Sequence, residues 1–202
     1  MIAVIDYGVG NLFSLKSSLA AVGADAVVTS SSEIIKKADK ILLPGVGAFE
    51  DAIALLRASR LDKLICEEVS AGKKILGICL GMQMLFEKSY EYGEHTGLAL
   101  LKGNIVSMEG KIPEKLKIPH IGWNALHIRK AHPIFKYVKE GDSVYFVHSY
   151  YATECGDSLL ATSEYGEELT AAVALDNIAG TQFHPEKSGK VGLSILKAFC
   201  EW

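Results

Sequence analysis

Lys73-Lys74-Ile75-Leu76-Gly77-Ile78-Cys79-Leu80-Gly81-Met82-Gln83 is the stretch whose reading decides the fold. Its apolar run is bounded and short, which predicts a buried strand over Lys74–Ile78. A helix is expected from Leu80, so Cys79 falls at the junction, with Gly77 and Gly81 two residues to either side. That is the strand–turn–helix pattern of a nucleophile elbow, with cysteine in the place of serine. So sharp a turn brings neighbouring elements close and leaves no room for a Cβ at the flanking positions. The cysteine then stands at a helix N-terminus, where free N–H groups and the helix dipole favour thiolate over thiol. The N–H of Leu80 points to where an oxyanion would form. The competing interpretation is a buried structural cysteine before a helix, since cysteine is commonly buried.

Upstream of this stretch, short apolar runs alternate with helical patterns. Strands are expected over Met1–Asp6, Ala26–Thr29 and Lys40–Leu43. Helices are expected over Asn11–Val22, capped by Asn11 with Gly23 just beyond, and around Ser32–Lys37; Ala48–Ala71 reads as one broken helix or two. Downstream, strand-like runs at Asn104–Ser107, Leu126–Ile128, Ser143–Val147, Leu159–Thr162, Ala171–Leu175 and Ile178–Gln182 follow one another, with turn residues between. Ser188–Phe199 closes the chain as an amphipathic helix. Strand–helix alternation followed by a run of hairpins predicts an α/β fold: one domain over residues 1–202 with a central mixed, mostly parallel sheet flanked by helices.

The bulk numbers agree with that and exclude several classes of function. A length of 202 residues allows one sizeable core and is short for two. With 21 basic and 24 acidic residues the chain carries no electrostatic footprint for nucleic acid or an anionic membrane. No apolar run is long enough to span a bilayer, and the N-terminus reads as a strand rather than a signal peptide. Cys66, Cys79, Cys155 and Cys200 are scattered without a C-x-x-C pair, which fits reduced thiols and a cytoplasmic setting.

A second chemical signal lies far away, in Gly180-Thr181-Gln182-Phe183-His184-Pro185-Glu186-Lys187-Ser188-Gly189. Pro185 keeps His184 out of the helical region, and in extended chain residues i and i+2 share a face. Glu186 can then orient the His184 imidazole and stabilise its protonated form. Cys79, His184 and Glu186 thus supply nucleophile, base and orienting carboxylate. His148, in Tyr145-Phe146-Val147-His148-Ser149-Tyr150-Tyr151, is the rival base, although no acid stands two residues on. His95, His120, His127 and His132 read as structural. No second Cys or His lies at ligand spacing, so no metal site is expected.

Taken together, Gly77–Gln83 and Gln182-Phe183-His184-Pro185-Glu186 resemble the triad segments of the class I glutamine amidotransferases. Asp6-Tyr7-Gly8-Val9-Gly10-Asn11-Leu12, Leu43–Phe49, Pro119-His120-Ile121-Gly122-Trp123-Asn124, Tyr145–Tyr151 and Glu186–Gly189 are similar to the branch that serves imidazole glycerol phosphate synthase. The resemblance runs over effectively the whole chain. Phe13 departs from it, standing where a basic residue is expected after Gly-Asn-Leu.

The resemblance implies a glutaminase acting on L-glutamine and paired as a heterodimer with a (β/α)₈ cyclase subunit. The pair would make imidazole glycerol phosphate and an aminoimidazole carboxamide ribotide in histidine biosynthesis. It implies an oxyanion hole formed by the Leu80 N–H and the Gly45-Val46 loop, with Gly47, Gln83, Glu91, His148, Ser149 and Tyr150 around the glutamine. Asn11, Trp123, Asn124, Tyr145 and Lys187 become interface candidates. Read from the residues alone, Gln83 could face water, the stretch from Glu87 to Glu94 could be a solvated surface, and Trp123 could be a core residue. No cofactor is called for: there is no P-loop, and Gly8 and Gly10 lack the rest of a dinucleotide fingerprint. Two alternatives share the fold: the glutaminase of a different class I amidotransferase, and a cysteine peptidase or DJ-1-like hydrolase.

Overall fold

Both faces of the central sheet are apolar, and this sets the architecture. In a computed structural model that describes residues 1–202, the chain order is β1 (Ile2–Ile5), α1 (Leu12–Ala21), β2 (Ala26–Thr29), α2 (Ser32–Lys37), β3 (Lys40–Leu43), α3 (Phe49–Ala58), α4 (Leu61–Ser70), β4 (Lys74–Ile78) and the single-turn α5 (Leu80–Gln83). The second half contributes β5 (Phe86–Ser89), β6 (His95–Thr96), β7 (Leu101–Ser107), β8 (His120–Ala125), β9 (His127–Ile128), β10 (Ser143–His148), β11 (Tyr150–Thr153), β12 (Leu159–Glu164), β13 (Glu168–Leu175), β14 (Ile178–Thr181) and α6 (Gly189–Glu201).

The main sheet has eight strands in the order β2-β1-β3-β4-β14-β13-β12-β9. Strands β2, β1, β3, β4 and β14 are parallel, and β13, β12 and β9 extend the sheet in antiparallel fashion. Successive side chains alternate between faces. Ile5, Ile41, Leu43 and Ile75 pack with α3, α4 and α5 on one side, while Val4, Leu42, Leu76 and Ile78 pack with α1 and α6 on the other. A strand buried on both faces reads as a continuous apolar run, which is why these strands could be located in the sequence.

Most of the expected elements appear where they were placed, and Ala48–Ala71 resolves into α3 and α4, broken at Arg60 with φ +59°. The helix expected from Leu80 is only one turn, because the chain turns at once into β5, which pairs with β6 and β7. Leu126, expected in a strand with Ile128, lies between β8 and β9. Strands β5, β6, β8 and β11 were not foreseen. With β7 and β10 they build two small sheets, β11-β7-β5-β6 and β10-β8, whose pairings are non-local apart from the β5–β6 hairpin. In β8 the sequence His-Ile-Gly-Trp-Asn-Ala carries its large apolar residues, Ile121 and Trp123, on the exposed face, the reverse of the usual signal.

The loops after β1, β3, β4 and β14 all leave the carboxyl end of the parallel strands, the edge where α/β sheets place their sites. Close packing there rests on glycine. A Cβ on Gly81 would sit 1.9 Å from the Leu43 carbonyl oxygen, and one on Gly45 would sit 2.6 Å from the Gly81 nitrogen. Backbone cannot yield as a side-chain tip can, so Gly81→Ala is expected to destabilise the chain by about 3 kcal/mol. Gly23→Ala meets open space and only a left-handed φ of +74°, with an expected cost of about 1 kcal/mol. Urea unfolding midpoints at unchanged slope would check the contrast.

Candidate active site

Cys79 sits at φ +54°, ψ −112°, a conformation that a side chain adopts only when its surroundings impose it. The surroundings do so from both ends. The Cys79 N–H donates to the Thr181 carbonyl at 2.7 Å, continuing the parallel pairing of β4 with β14. The Cys79 carbonyl accepts from Gln83 N at 3.1 Å and starts α5. On Gly77 a Cβ would lie 2.7 Å from Met82 Cα, so the glycine flanks of the elbow are steric requirements. The thiol is buried, with 8% of the residue exposed.

β14 leads directly into His184, the candidate base. His184 Nδ1 lies 2.8 Å from Glu186 Oε1, both side chains almost fully buried. The His184 N–H donates to Tyr145 O at 3.0 Å and the Ser188 hydroxyl donates to His184 O at 2.7 Å, fixing the ring's backbone. His184 is extended as expected, but Pro185–Lys187 forms a 3₁₀ turn, so the turn brings the carboxylate to the ring rather than a shared strand face. Burial alone would lower the imidazole pKa. Hydrogen bonds and charge from Cys79 and Glu186 outweigh burial and hold His184 up to about 9. With Nδ1 engaged by Glu186, Nε2 is the nitrogen left for Cys79.

The structure rules out His148 as rival base. Its Nδ1 lies 2.9 Å from the Tyr150 carbonyl, an acceptor only, so Nδ1 carries the proton. Its Nε2 faces His120 Nδ1 at 3.3 Å, and by elimination accepts. Burial drives His148 down to about 3 and His120 to about 4. His120, stacked between Phe146 and Tyr165, is the structural histidine it was expected to be.

A cavity of about 400 Å³ opens over Cys79 and gathers most of the expected residues. Val46, Gly47 and Leu80 line it beside the nucleophile, with Gln83, Glu91, His148, Ser149, Tyr150, His184 and Lys187 around it. Gln83 is buried rather than solvent-facing and donates to the Tyr150 carbonyl at 3.0 Å. Glu91 is half-buried, not part of a solvated face: its carboxylate accepts from the Phe49 N–H at 2.7 Å. Burial raises its pKa, opposed by that hydrogen bond and by His95.

The N–H groups of Gly45, Val46, Gly47 and Leu80 make no hydrogen bond within the chain; Val46, Gly47 and Leu80 line the cavity, whereas Gly45 lines the crevice behind it. Tyr7, overlooked in the sequence, is buried beneath this loop and donates its hydroxyl to Pro44 O at 2.8 Å. Gln182, also overlooked, is fully buried with its Nε2 3.7 Å from Cys79 Sγ. Only its position two residues before His184 could have pointed to it. Asn11 caps α1, and with Gly45 and Glu186 it lines a narrow crevice behind the triad. Trp123 is exposed rather than in the core, and it lies edge-on to Tyr145, over which Lys187 also sits. Asn124 is tied to Glu164 O and Ala125 N, so its side chain braces β8.

The sequence profile described as glutamine amidotransferase class-I matches residues 3–201. Imidazole glycerol phosphate synthase subunit HisH of Caldanaerobacter subterraneus subsp. tengcongensis is 50% identical over 202 residues, covering 100% of this chain and 98% of that protein. The HisH subunit of Aquifex aeolicus is 49% identical over 198 residues, covering 97% of this chain and 94% of its own length. The chain belongs to the HisH family of class I glutamine amidotransferases. Among solved structures, PurLQS from Thermotoga maritima superposes with a TM-score of 0.74 at 18% identity, covering 99% of this chain and 97% of that one. The glutaminase domain of Trypanosoma brucei CTPS superposes at 0.68 with 16% identity, covering 99% and 93%. These distant likenesses show the fold alone, and the sheet described above is theirs.

The titration of these histidines dictates a pH profile for the stability of this HisH-family chain. His184, raised to about 9 from 6.5, holds a proton in the folded state that the unfolded chain releases, so its contribution is complete below about 6.5 and is lost as pH rises towards 9. His148 and His120 act oppositely: the unfolded chain takes up protons that the folded chain refuses, so stability falls as pH drops below 6.5, towards about 4 for His120 and about 3 for His148. Thermal melts are expected to peak near pH 6.5, and His184→Gln should flatten the alkaline limb only.

Proposed function

We propose that the chain hydrolyses the side-chain amide of L-glutamine and passes the ammonia to a (β/α)₈ cyclase partner. Carrying the proposal is the convergence of Cys79 and His184 on one cavity, with Glu186 held against the far side of the His184 ring, in a chain half identical over its whole length to HisH subunits. The name of those relatives is what brings imidazole glycerol phosphate synthesis, and with it histidine biosynthesis, into the reading. A cytoplasmic setting is consistent with four free cysteines; no helix is long and apolar enough to cross a membrane.

In this reading the Cys79 thiolate attacks the amide carbon of glutamine, and the carbonyl electron pair moves onto oxygen. The N–H groups of Leu80 and of the Gly45–Gly47 loop, unpaired within the chain, are the candidates to hold that oxyanion. The protonated His184 delivers its Nε2 proton to the departing nitrogen, and the C–N bond breaks to leave ammonia and a γ-glutamyl thioester. Neutral His184 then takes a proton from water, whose oxygen attacks the thioester and frees glutamate and the thiolate. Glu186 holds the imidazole in place throughout and stabilises it whenever it is protonated. The Glu91 carboxylate suits the substrate α-ammonium. Both hydrogens of the Gln83 amide are already engaged by Tyr150 and Gln182, so Gln83 can offer glutamine only its oxygen as an acceptor.

Ammonia released to water would largely become unreactive ammonium, so the glutaminase has to be sealed against its acceptor. The exposed Trp123, with Tyr145, Lys187 and Asn11 around the carboxyl edge of the sheet, forms our candidate sealing surface. Asn124 supports it by fixing β8. Phe13, 82% exposed at the start of α1, puts an apolar ring near the same edge.

Glutamate release should require Cys79 and should rise on addition of the cyclase; release by Cys79→Ala at the wild-type rate would overturn the mechanism. Glu91→Gln is expected to raise KM about tenfold with kcat retained, the loss of one charge-assisted contact. Trp123→Ala should weaken cyclase binding by about 2 kcal/mol, roughly thirtyfold in Kd by calorimetry, while the chain's own stability holds.

A further inference from the structure

Gln182 is a fully buried polar residue that the mechanism above leaves without a task. Its environment fixes which way its amide points, an assignment that ordinarily rests on hydrogen-bond logic. The Tyr150 carbonyl can only accept, so the Gln83 group 3.0 Å from it is the NH₂. The same nitrogen lies 2.9 Å from Gln182, and must meet an oxygen there, which makes that atom Oε1. The Nε2 of Gln182 therefore faces the other way, 3.7 Å from Cys79 Sγ, a separation suited to the large sulfur atom. The backbone is held as firmly: Gln182 N donates to Ala171 O at 2.8 Å.

We infer that Gln182 is a catalytic residue of the glutaminase step, donating a hydrogen bond to the Cys79 sulfur that favours the attacking thiolate, with Gln83 and the Tyr150 carbonyl aiming the donor. The inference deepens the reading of Cys79 as nucleophile and rests on it. A bond to a charged acceptor contributes more than one to a neutral acceptor, so the donor favours thiolate over thiol. It acts alongside His184 with Glu186 from the loop after β14 and Tyr7 from the loop after β1, both near Cys79, and the other titratable groups that line the cavity, Glu91, His148 and Lys187.

The test is the rate of Cys79 alkylation by iodoacetamide against pH, read at the Cys79 peptide by mass spectrometry in the full-length chain. Gln182→Met keeps the shape and removes the donor. Near neutral pH its alkylation should be about threefold slower, with the midpoint about one pH unit higher. Its plateau at high pH should stand about threefold above wild type, because a less stabilised thiolate is intrinsically more nucleophilic. Gln182→Glu, placing a carboxylate against the sulfur, should slow neutral alkylation further. A role in packing alone would move neither midpoint nor plateau in this crossed manner. Superimposable profiles, or a lowered plateau with an unmoved midpoint, would overturn the inference. Should neither variant fold, ¹⁵N-glutamine-labelled wild type still decides: the Gln182 side-chain amide should titrate with the alkylation midpoint and cease to do so in Cys79→Ala, and an unmoved signal refutes the bond. Alkylation needs no glutamine, so failure of the glutaminase reading shows separately, as absent turnover with the profiles unchanged.

Discussion

The parallel pairing of β4 with β14 is the contact on which the site depends. Each strand alone is a short apolar segment, and together they form the middle of an eight-stranded sheet. Their register sets Ile78 against Thr181, and the next bond, Cys79 N–H to the Thr181 carbonyl, holds Cys79 beside the segment that carries His184. Gln182 and Cys79 are separated by 103 positions in sequence, yet they meet because both strands end at one edge. A slip of one residue in that register would turn His184 to the opposite face.

Steric closeness supplies the second constraint. Gly45, Gly77 and Gly81 let the β3 loop, the end of β4 and α5 approach to distances that a Cβ would forbid. That closeness forces Cys79 into a left-handed φ and also sets the Gly45–Gly47 N–H groups beside the elbow. Tyr7 anchors this loop at the Pro44 carbonyl, leaving Val46 and Gly47 less restrained: Val46 is partly exposed and Gly47 has no neighbour that a Cβ would meet. The loop is thus tied at its start and loose at its tip.

Polar groups around the cavity form a directional network. The Tyr150 carbonyl accepts from both His148 and Gln83, and those two bonds settle a histidine tautomer and two amide orientations. His148 and His120 stay neutral through burial, while His184, equally enclosed, is kept charged by its partners. Similar burial gives opposite protonation because only His184 has a carboxylate and a sulfur within reach.

Cys79, His184 and Glu186 were legible in the sequence as candidate nucleophile, base and orienting carboxylate because each lies in a local motif whose chemistry needs few residues: glycines about Cys79, and a proline between His184 and Glu186. The doubly buried strands were legible as uninterrupted apolar runs. β5, β6, β8 and β11 were not, since apart from the short β5–β6 hairpin their pairing is non-local and β8 shows its apolar side chains to solvent. Gln182 and Tyr7 were illegible for a related reason: a buried polar residue acquires meaning only from the partner that satisfies it. The sequence by itself determined the fold class and the chemistry that Cys79, His184 and Glu186 can perform, because strand periodicity and motif geometry are local properties. Only the tertiary structure decided which histidine stays charged, which way each amide points and whether Trp123 is inside or out, because those depend on contacts between segments far apart in the chain.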